Sequence, residues 1–478
     1  MGSGAVDSVD DEFDNVSFLS HFDGSNNGTN IVYDDSSASN HTISVTGTPP
    51  QGTFGPFARP EGEWSNYIGP GAAYNLAAGL GAASHSDFTL DGAYTIEFFV
   101  NLTSTADQYF FGIGDTSSGD KTSLVLGLAS GTSLGIGGGT VLVFSTGSEL
   151  TVDTWHHVAV TRNGSNLVTC WVDGTALGTT FTVTDDPSGV AVVGTALYST
   201  IYYSSVLGHM SNFRILKGTC LYTSNFTPPT APLENISGTV LLTCRSNRFV
   251  DKSDSAHALT AIQTPKVSAF TPILTSEVYD PAVNGASAFF NTASNNVYTG
   301  TSSDWTWLDD PWTMEMWIYP TTIDVSYDCI TANYAAGMLY LAGSVLRCFL
   351  GISGAVYVEG PASSVQANTW HHIALVRNGT TYTAYINGVA GTPLTYTHTH
   401  LTASAGPVIG AYNTSGTEPF PGYIADVRYL KGTALYSSNF TPPTAPLTAI
   451  DDTVLLLNMA DGQALDSAAQ HNLKLYNE

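Results

Sequence analysis

Apolar and polar positions alternate in short runs along most of the chain, and the clearest runs occur twice. Tyr94-Thr-Ile-Glu-Phe-Phe-Val100 alternates at period two and is echoed by Trp312-Thr-Met-Glu-Met-Trp-Ile318. That period predicts strands with one face on a core. A second echo links Thr154-Trp-His-His-Val-Ala-Val-Thr-Arg-Asn-Gly164 to Thr369-Trp-His-His-Ile-Ala-Leu-Val-Arg-Asn-Gly379. Each predicts a strand running into an Asn-Gly hairpin, whose type I′ turn needs φ > 0 at both central residues. Strands return over 167–172 and 382–386 and end at Asp173-Gly174 and Asn387-Gly388. Further strands are predicted at 16–22, 42–45, 64–68, 108–114, 123–129, 141–145, 190–194 and 210–215, bounded by Gly, Asp, Ser or Thr. This spacing, with no dozen-residue stretch of helical period, predicts an all-β protein built of antiparallel sandwiches.

The strongest repeat closes each copy. Leu216-Lys-Gly-Thr-Cys-Leu-Tyr-Thr-Ser-Asn-Phe-Thr-Pro-Pro-Thr-Ala-Pro-Leu233 and Leu430–Leu447 agree at sixteen of eighteen positions. Their prolines enforce an extended path, which reads as a strap across a domain or a stiff spacer. A strand follows each strap, at Thr239 to Leu242 and Thr453 to Leu457, and then an Asp-Lys-Ser or Asp-Ser segment. The same pattern recurs from Phe18 to Asp35-Ser36, three occurrences for two large repeats. Residues 1–15 therefore read as a flexible arm, 16–236 as the first sandwich and 237–478 as the second. Segments 239–262 and 453–478 are candidate closing strands, and the pattern alone does not assign the former to either sandwich.

Composition narrows the partners. Hydrophobic residues make up 43% of the 478, enough for packed cores. Only 14 Lys+Arg stand against 40 Asp+Glu, a net charge of −26, so neither nucleic acid nor an anionic membrane surface is an expected partner. No apolar run approaches the roughly 18 residues of a spanning helix, and no secretory leader is readable. Cys170, Cys220, Cys244, Cys329 and Cys348 are odd in number, and the first three align with Ala384, Ala434 and Asn458. They read as small buried residues of a protein that folds in a reducing cytoplasm.

Together the quoted strands, with Trp171-Val-Asp-Gly174, Leu207 to Ile215 and Gly422 to Leu430, resemble the laminin-G-like, concanavalin A-like jelly roll, twice over. The Lys-Gly-Thr…Asn-Phe-Thr-Pro-Pro ending is similar to the version common in bacteriophage and environmental bacterial proteins. The resemblance implies two packed antiparallel sheets per repeat, often with carbohydrate or protein binding and sometimes with glycoside hydrolysis. It also implies a virion component: a tail fibre, adhesin or capsid decoration. Such a component would assemble in the host cytoplasm with itself and other structural proteins, and host-surface glycan is its candidate ligand. The alternative is a secreted, extracellular polysaccharide-binding or polysaccharide-degrading protein.

The residues favour binding over catalysis. Hydrolysis needs two carboxylates roughly 5–9.5 Å apart, whereas Glu97 and Glu315 stand alone in their strands. His156-His157 and His371-His372 point to opposite sheet faces and cannot share an ion. His398 and His400 share a face but have no third ligand nearby in sequence. Calcium is the one cofactor left open, with Asp23, Asp34, Asp35 and Asp251, and further Asp461 and Asp466, as candidate hard-oxygen ligands that also suit ordinary turns. For sugar stacking the candidates are Trp307, Trp64 and Tyr67, while Trp305 aligns with Phe88 and reads as a core anchor.

Overall fold

A computed structural model describes residues 20–21, 43–46, 51–52, 54, 56–69, 77–114, 124–129, 133–137, 141–144, 149–184, 186–198, 201–269, 271–273, 281–290, 295–306, 310–323, 327–333, 337–350, 356–397, 406–459 and 465–466. Asp23, Asp34, Asp35, Trp307, His398, His400 and Asp461 lie outside them. Among the described residues no helix is long and apolar enough to cross a membrane, and all five cysteines are free.

Among the described residues each repeat is an antiparallel sandwich of one nine-stranded and one seven-stranded sheet. In the first, Tyr94–Leu102 is central, flanked by Trp155–Arg162 and Gly208–Lys217. Tyr94, Ile96, Phe98, Val100 and Leu102 enter the core. Alternation therefore puts Thr95, Glu97, Phe99 and Asn101 on the outer face. All nine residues are nevertheless buried, because the strap covers that outer face. Trp312–Pro320 repeats the arrangement in the second sandwich, between His371–Asn378 and Gly422–Lys431.

The turn chemistry differs from the Asn-Gly expectation. Asn163 and Gly164 do not take positive φ in the first copy; instead Asn166 does (φ 62°), and Asn163 Oδ1 accepts from the backbone N–H groups of Ser165 and Leu167. In the second copy only Gly379 of the pair is left-handed (φ 59°). The positive-φ pairs are the later ones, Asp173-Gly174 (47°, 75°) and Asn387-Gly388 (50°, 78°). An Asx turn satisfies the first loop without the strain of two left-handed residues.

The domain boundary also moves. Thr239–Thr243 pairs with Gly208–Lys217, Leu259–Ile262 with Gly79–His85, and Lys266–Ser268 with Ser65–Tyr67. The segment after residue 236 thus closes the first sandwich rather than opening the second. Conversely, Ile43–Thr46 pairs with Asn296–Thr299, and Gln51–Gly52 with Ser287–Phe290, both in the second sandwich. The two segments are sequence repeats in constant register: His41, Thr48, Pro49, Phe54 and Pro56 match His257, Thr264, Pro265, Phe270 and Pro272. The amino-terminal copy is the closing segment that the second sandwich takes from the other end of the chain. It leads to Phe54, whose ring lies 5.0 Å from Tyr319, 5.5 Å from Trp370 and 5.1 Å from Tyr423, and to Phe57, 5.5 Å from Trp317.

One buried group separates the copies. Asn212 and Asp426 sit at the same β-bulge against the central strands, with φ of 50° and 48°. Burial pushes the Asp426 carboxyl up to about 7, against the hydrogen bond from Asn458. A raised native value means that stability is fully present below the unfolded carboxylate range and is lost as pH rises toward 7. Asp426→Asn, which copies Asn212, is expected to abolish that loss. It should raise stability at pH 8 by on the order of 1–4 kcal/mol, read by chemical denaturation at pH 4.5 and 8. A variant whose pH profile parallels the parent's would contradict this.

Candidate functional site

Glu97 and Glu315 occupy equivalent places beneath the two straps, and both side chains are fully enclosed. Glu97 Oε1 accepts from Arg214 Nε at 3.0 Å and from its Nη2; Oε2 faces His157 Nε2 at 3.2 Å and accepts from Tyr222 Oη at 2.7 Å. Glu315 repeats this with Arg428 (2.8 Å), His372 (3.1 Å) and Tyr436 (2.7 Å). Burial pushes both carboxyls up, but the bonds and charges of His157 and Arg214, or His372 and Arg428, outweigh it and hold them below the ordinary range. Arg214 and Arg428 also donate to the strap-end carbonyls of Glu234 and Thr448.

The strap is seated by shape as well as charge. Tyr222 and Phe226 stack 3.6 Å apart, and Phe226 stands edge-on to His157. The Phe226 N–H donates to Gly174 O at 2.9 Å, and a Cβ at Gly174 would lie 1.8 Å from Phe226 O, so the turn must be glycine. Gly388 and Phe440 repeat both features. These acid–base constellations clasp the straps, and their carboxylates are closed off from solvent.

The paired histidines part as the alternation requires. His157 and His372 join the clasps, whereas His156 Nδ1 faces Asp173 Oδ2 at 2.7 Å and His371 Nε2 accepts from the Gln366 N–H at 3.0 Å. Burial pushes His371 down to about 4.

Two other candidates are corrected. Trp64 is 1% exposed, donates Nε1 to Arg59 O at 2.8 Å and faces Phe54 in the core between the sandwiches, so it offers no face to a sugar. Asp251 is buried; its oxygens accept from the backbone N–H groups of Leu242, Ser253 and His257 and from the Ser253 hydroxyl, so this carboxylate is engaged in turn hydrogen bonds. Tyr67 is half-buried in a ladder row of Trp155, Asn101, His209, Tyr67 and Lys266 on the outer face, its ring 5.0 Å from His209. The corresponding row of the second sandwich receives Phe54; Phe270, its match for the first, lies outside the described residues.

The surface left open by the straps is the outer face of the seven-stranded sheets. In the second sandwich Leu339, Leu341, Leu346, Cys348 and Val358 face the core. Their neighbours Met338, Arg347, Phe349, Tyr357 and Glu359 therefore line the outside, with Tyr340 on the same face but covered by them and 1% exposed. Adjacent ladder rows bring them together: Tyr340, Arg347 and Glu359 in one, Met338, Phe349 and Tyr357 in the next. Arg347 Nε donates to Glu359 Oε1 at 2.7 Å, which raises the guanidinium's pKa further. The Arg347 guanidinium carbon lies 5.9 Å from the Tyr357 ring centre, Phe349 is 5.7 Å from Tyr357, and Tyr327 is 5.1 Å from Tyr340. Tyr327 and Tyr357 are 49% and 37% exposed. Exposed rings beside a fixed ion pair offer stacking faces together with directed donors and acceptors.

Among the described residues the first sandwich lacks this surface. Its equivalent outer positions include Val125, Gly127, Gly135 and Gly137, with Tyr109 laid over Gly127. The aromatic patch escaped the sequence reading, which weighed tryptophans and loops. Its signal was the alternation in Met338-Leu-Tyr-Leu-Ala342 and Val345-Leu-Arg-Cys-Phe349.

Comparison with known proteins agrees with this architecture. The family model described as the Concanavalin A-like lectin/glucanases superfamily matches residues 77–220 and 291–435, more than half of the chain. No curated protein matches it in sequence. Solved structures to which it is similar include domains LG4-5 of the mouse laminin α1 chain, at 11% identity over 80% of this chain and 95% of that one (TM-score 0.27). A heptameric SAP-like pentraxin from Limulus polyphemus shows 13% identity over 43% and 94% (TM-score 0.28). The Ruminococcus gnavus IT-sialidase CBM40 bound to α2,3 sialyllactose shows 13% over 31% and 90% (TM-score 0.27).

Proposed function

Because the chain belongs to the Concanavalin A-like lectin/glucanases superfamily through both of its repeats, we propose that it is a non-catalytic binding protein whose glycan contact is the open sheet of the second sandwich. The observation that carries this reading is the patch of Tyr327, Arg347, Phe349, Tyr357 and Glu359, present in one sandwich and replaced by small residues at the equivalent described positions of the other. The apolar CH faces of a sugar ring stack on the exposed tyrosines, while its hydroxyls meet the Arg347–Glu359 pair. The first sandwich serves as the scaffold on which the second is mounted. Enclosure of Glu97 and Glu315 supports binding without hydrolysis. We place this role on a virion surface, as an oligomeric fibre, adhesin or decoration, from the strap's resemblance to bacteriophage proteins.

The test is titration of the full chain with neutral and acidic oligosaccharides. Tyr357→Ala removes a ring contact and Arg347→Ala a charged donor, worth about 0.5–1.5 and 1.5–3 kcal/mol. Affinity should therefore fall several-fold in the first and ten-fold or more in the second. Glycan binding that survives both changes, or none at millimolar sugar, would remove the reading.

A further inference from the structure

We propose that His85, Asp87 and His257 of the first sandwich form a binding site for a divalent transition metal of the zinc class. One nitrogen from each imidazole and one oxygen of Asp87 lie within 4.8 Å of one another, the only such His, Cys or acidic group of three among the described residues. Asp87 Oδ2 is 3.3 Å from His85 Nδ1 and 3.1 Å from His257 Nε2. Donors sharing a tetrahedral metal at about 2.0 Å stand about 3.3 Å apart, so both imidazole–carboxylate distances already suit one coordination sphere, and the two imidazole nitrogens, within 4.8 Å, need only close on the ion. Two imidazoles with one carboxylate favour zinc, nickel or copper over calcium or magnesium, whose sites are built of oxygen.

The surroundings hold the donors in place. Ser255 Oγ donates to Asp87 Oδ2 at 2.7 Å, which orients the carboxylate as an outer partner would. His257 packs 4.7 Å from Phe88 and its backbone N–H is tied to Asp251, so only 11% of its side chain is exposed. His85 caps the short turn Ser86–Phe88, its Nδ1 accepting from the Asp87 N–H at 3.2 Å. A metal on Nδ1 would displace that one bond, which lies at the surface.

The second sandwich provides the internal control. Its matching turn, Ser303–Trp305, carries Asp304 at the place of Asp87 but is capped by Ser302. Capping requires only one acceptor, so the imidazole of His85 exceeds what the turn needs. The site also spans the closing seam: His257 precedes the strand Leu259–Ile262, while His85 ends its partner strand Gly79–His85. A bound metal would staple the closing segment to the sheet.

The experiment is calorimetric titration of the chelator-treated full chain with Zn²⁺, alongside Co²⁺ absorption. One saturable equivalent is expected. His85→Ser, which copies the folded second sandwich, and Asp87→Asn should each weaken it at least ten-fold and alter the cobalt spectrum. Amide exchange over 257–262 should slow on zinc addition in the parent and not in His85→Ser. The absence of saturable binding at 100-fold excess metal, or binding that both variants retain, would overturn the site.

Discussion

Without residues 1–57 the second sandwich is expected to lose its cooperative unfolding transition while the first keeps its own. Those residues supply Ile43–Thr46 to one sheet of the second sandwich and Gln51–Gly52 to the other. They then place Phe54, 3% exposed, among Tyr319, Trp370 and Tyr423. Removal opens an edge on each sheet and bares an aromatic cradle, a combination that invites aggregation. Phe54→Ala isolates the cradle and should cost about 3–5 kcal/mol, the usual range for emptying a buried phenylalanine site. The first sandwich loses its Phe54–Trp64 contact but keeps both sheets complete, because its own closing strands, Leu259–Ile262 and Lys266–Ser268, follow it directly in the chain. Calorimetry of the truncated chain, with and without a peptide covering 41–57, checks the prediction. The peptide should restore the lost transition. Two unchanged transitions in the truncated chain would show that the segment contributes nothing to the fold.

How far the sequence led depended on the range of the interaction. Period-two alternation located the strands around Glu97 and Glu315 because a strand's inward face is a local property. The weaker strand Gly79–His85 went unseen: Gly, Ala and Ser give little alternation to read. The closing segments were legible as strands, yet their destination was not. Nothing in the apolar pattern of residues 41–57 says which sheet edge lies beside it, and a segment can reach either sandwich from a short linker. The clasp was half legible, since the glutamates stand alone in apolar strands, but its Arg and Tyr come from 117 and 125 residues away. His257 meets Asp87 across 170 residues, beyond any spacing rule for metal ligands. Trp64 misled because large aromatics serve cores and sugar platforms alike, and only its neighbours decide between them.

Breaking one clasp should have the second large effect, and its pH dependence should reverse sign. Arg428→Ala leaves the fully enclosed Glu315 without its cation. Removing one partner of a buried pair typically costs about 3–5 kcal/mol, here confined to the second sandwich because the Glu97–Arg214 pair remains intact. In the parent, burial pushes Glu315 up, yet His372 and Arg428 hold its carboxyl below the usual range. Its stabilisation is therefore present above the unfolded carboxylate pKa, roughly 4.3, and is lost as pH falls through the lower native value. Without Arg428 the upward push of burial is less opposed, and a carboxyl raised above its unfolded value contributes stability that fades as pH rises. With Asp426→Asn as the parent for both, so that the raised Asp426 carboxyl does not contribute, denaturation of Arg428→Ala between pH 3.5 and 7 should thus show a slope opposite to the parent's. Glu315→Leu combined with Arg428→Leu removes the uncompensated charge and should recover part of the loss. If the single variant kept the parent's slope, the strap would be held by the Tyr436–Phe440 stack and the Gly388 contact rather than by charge.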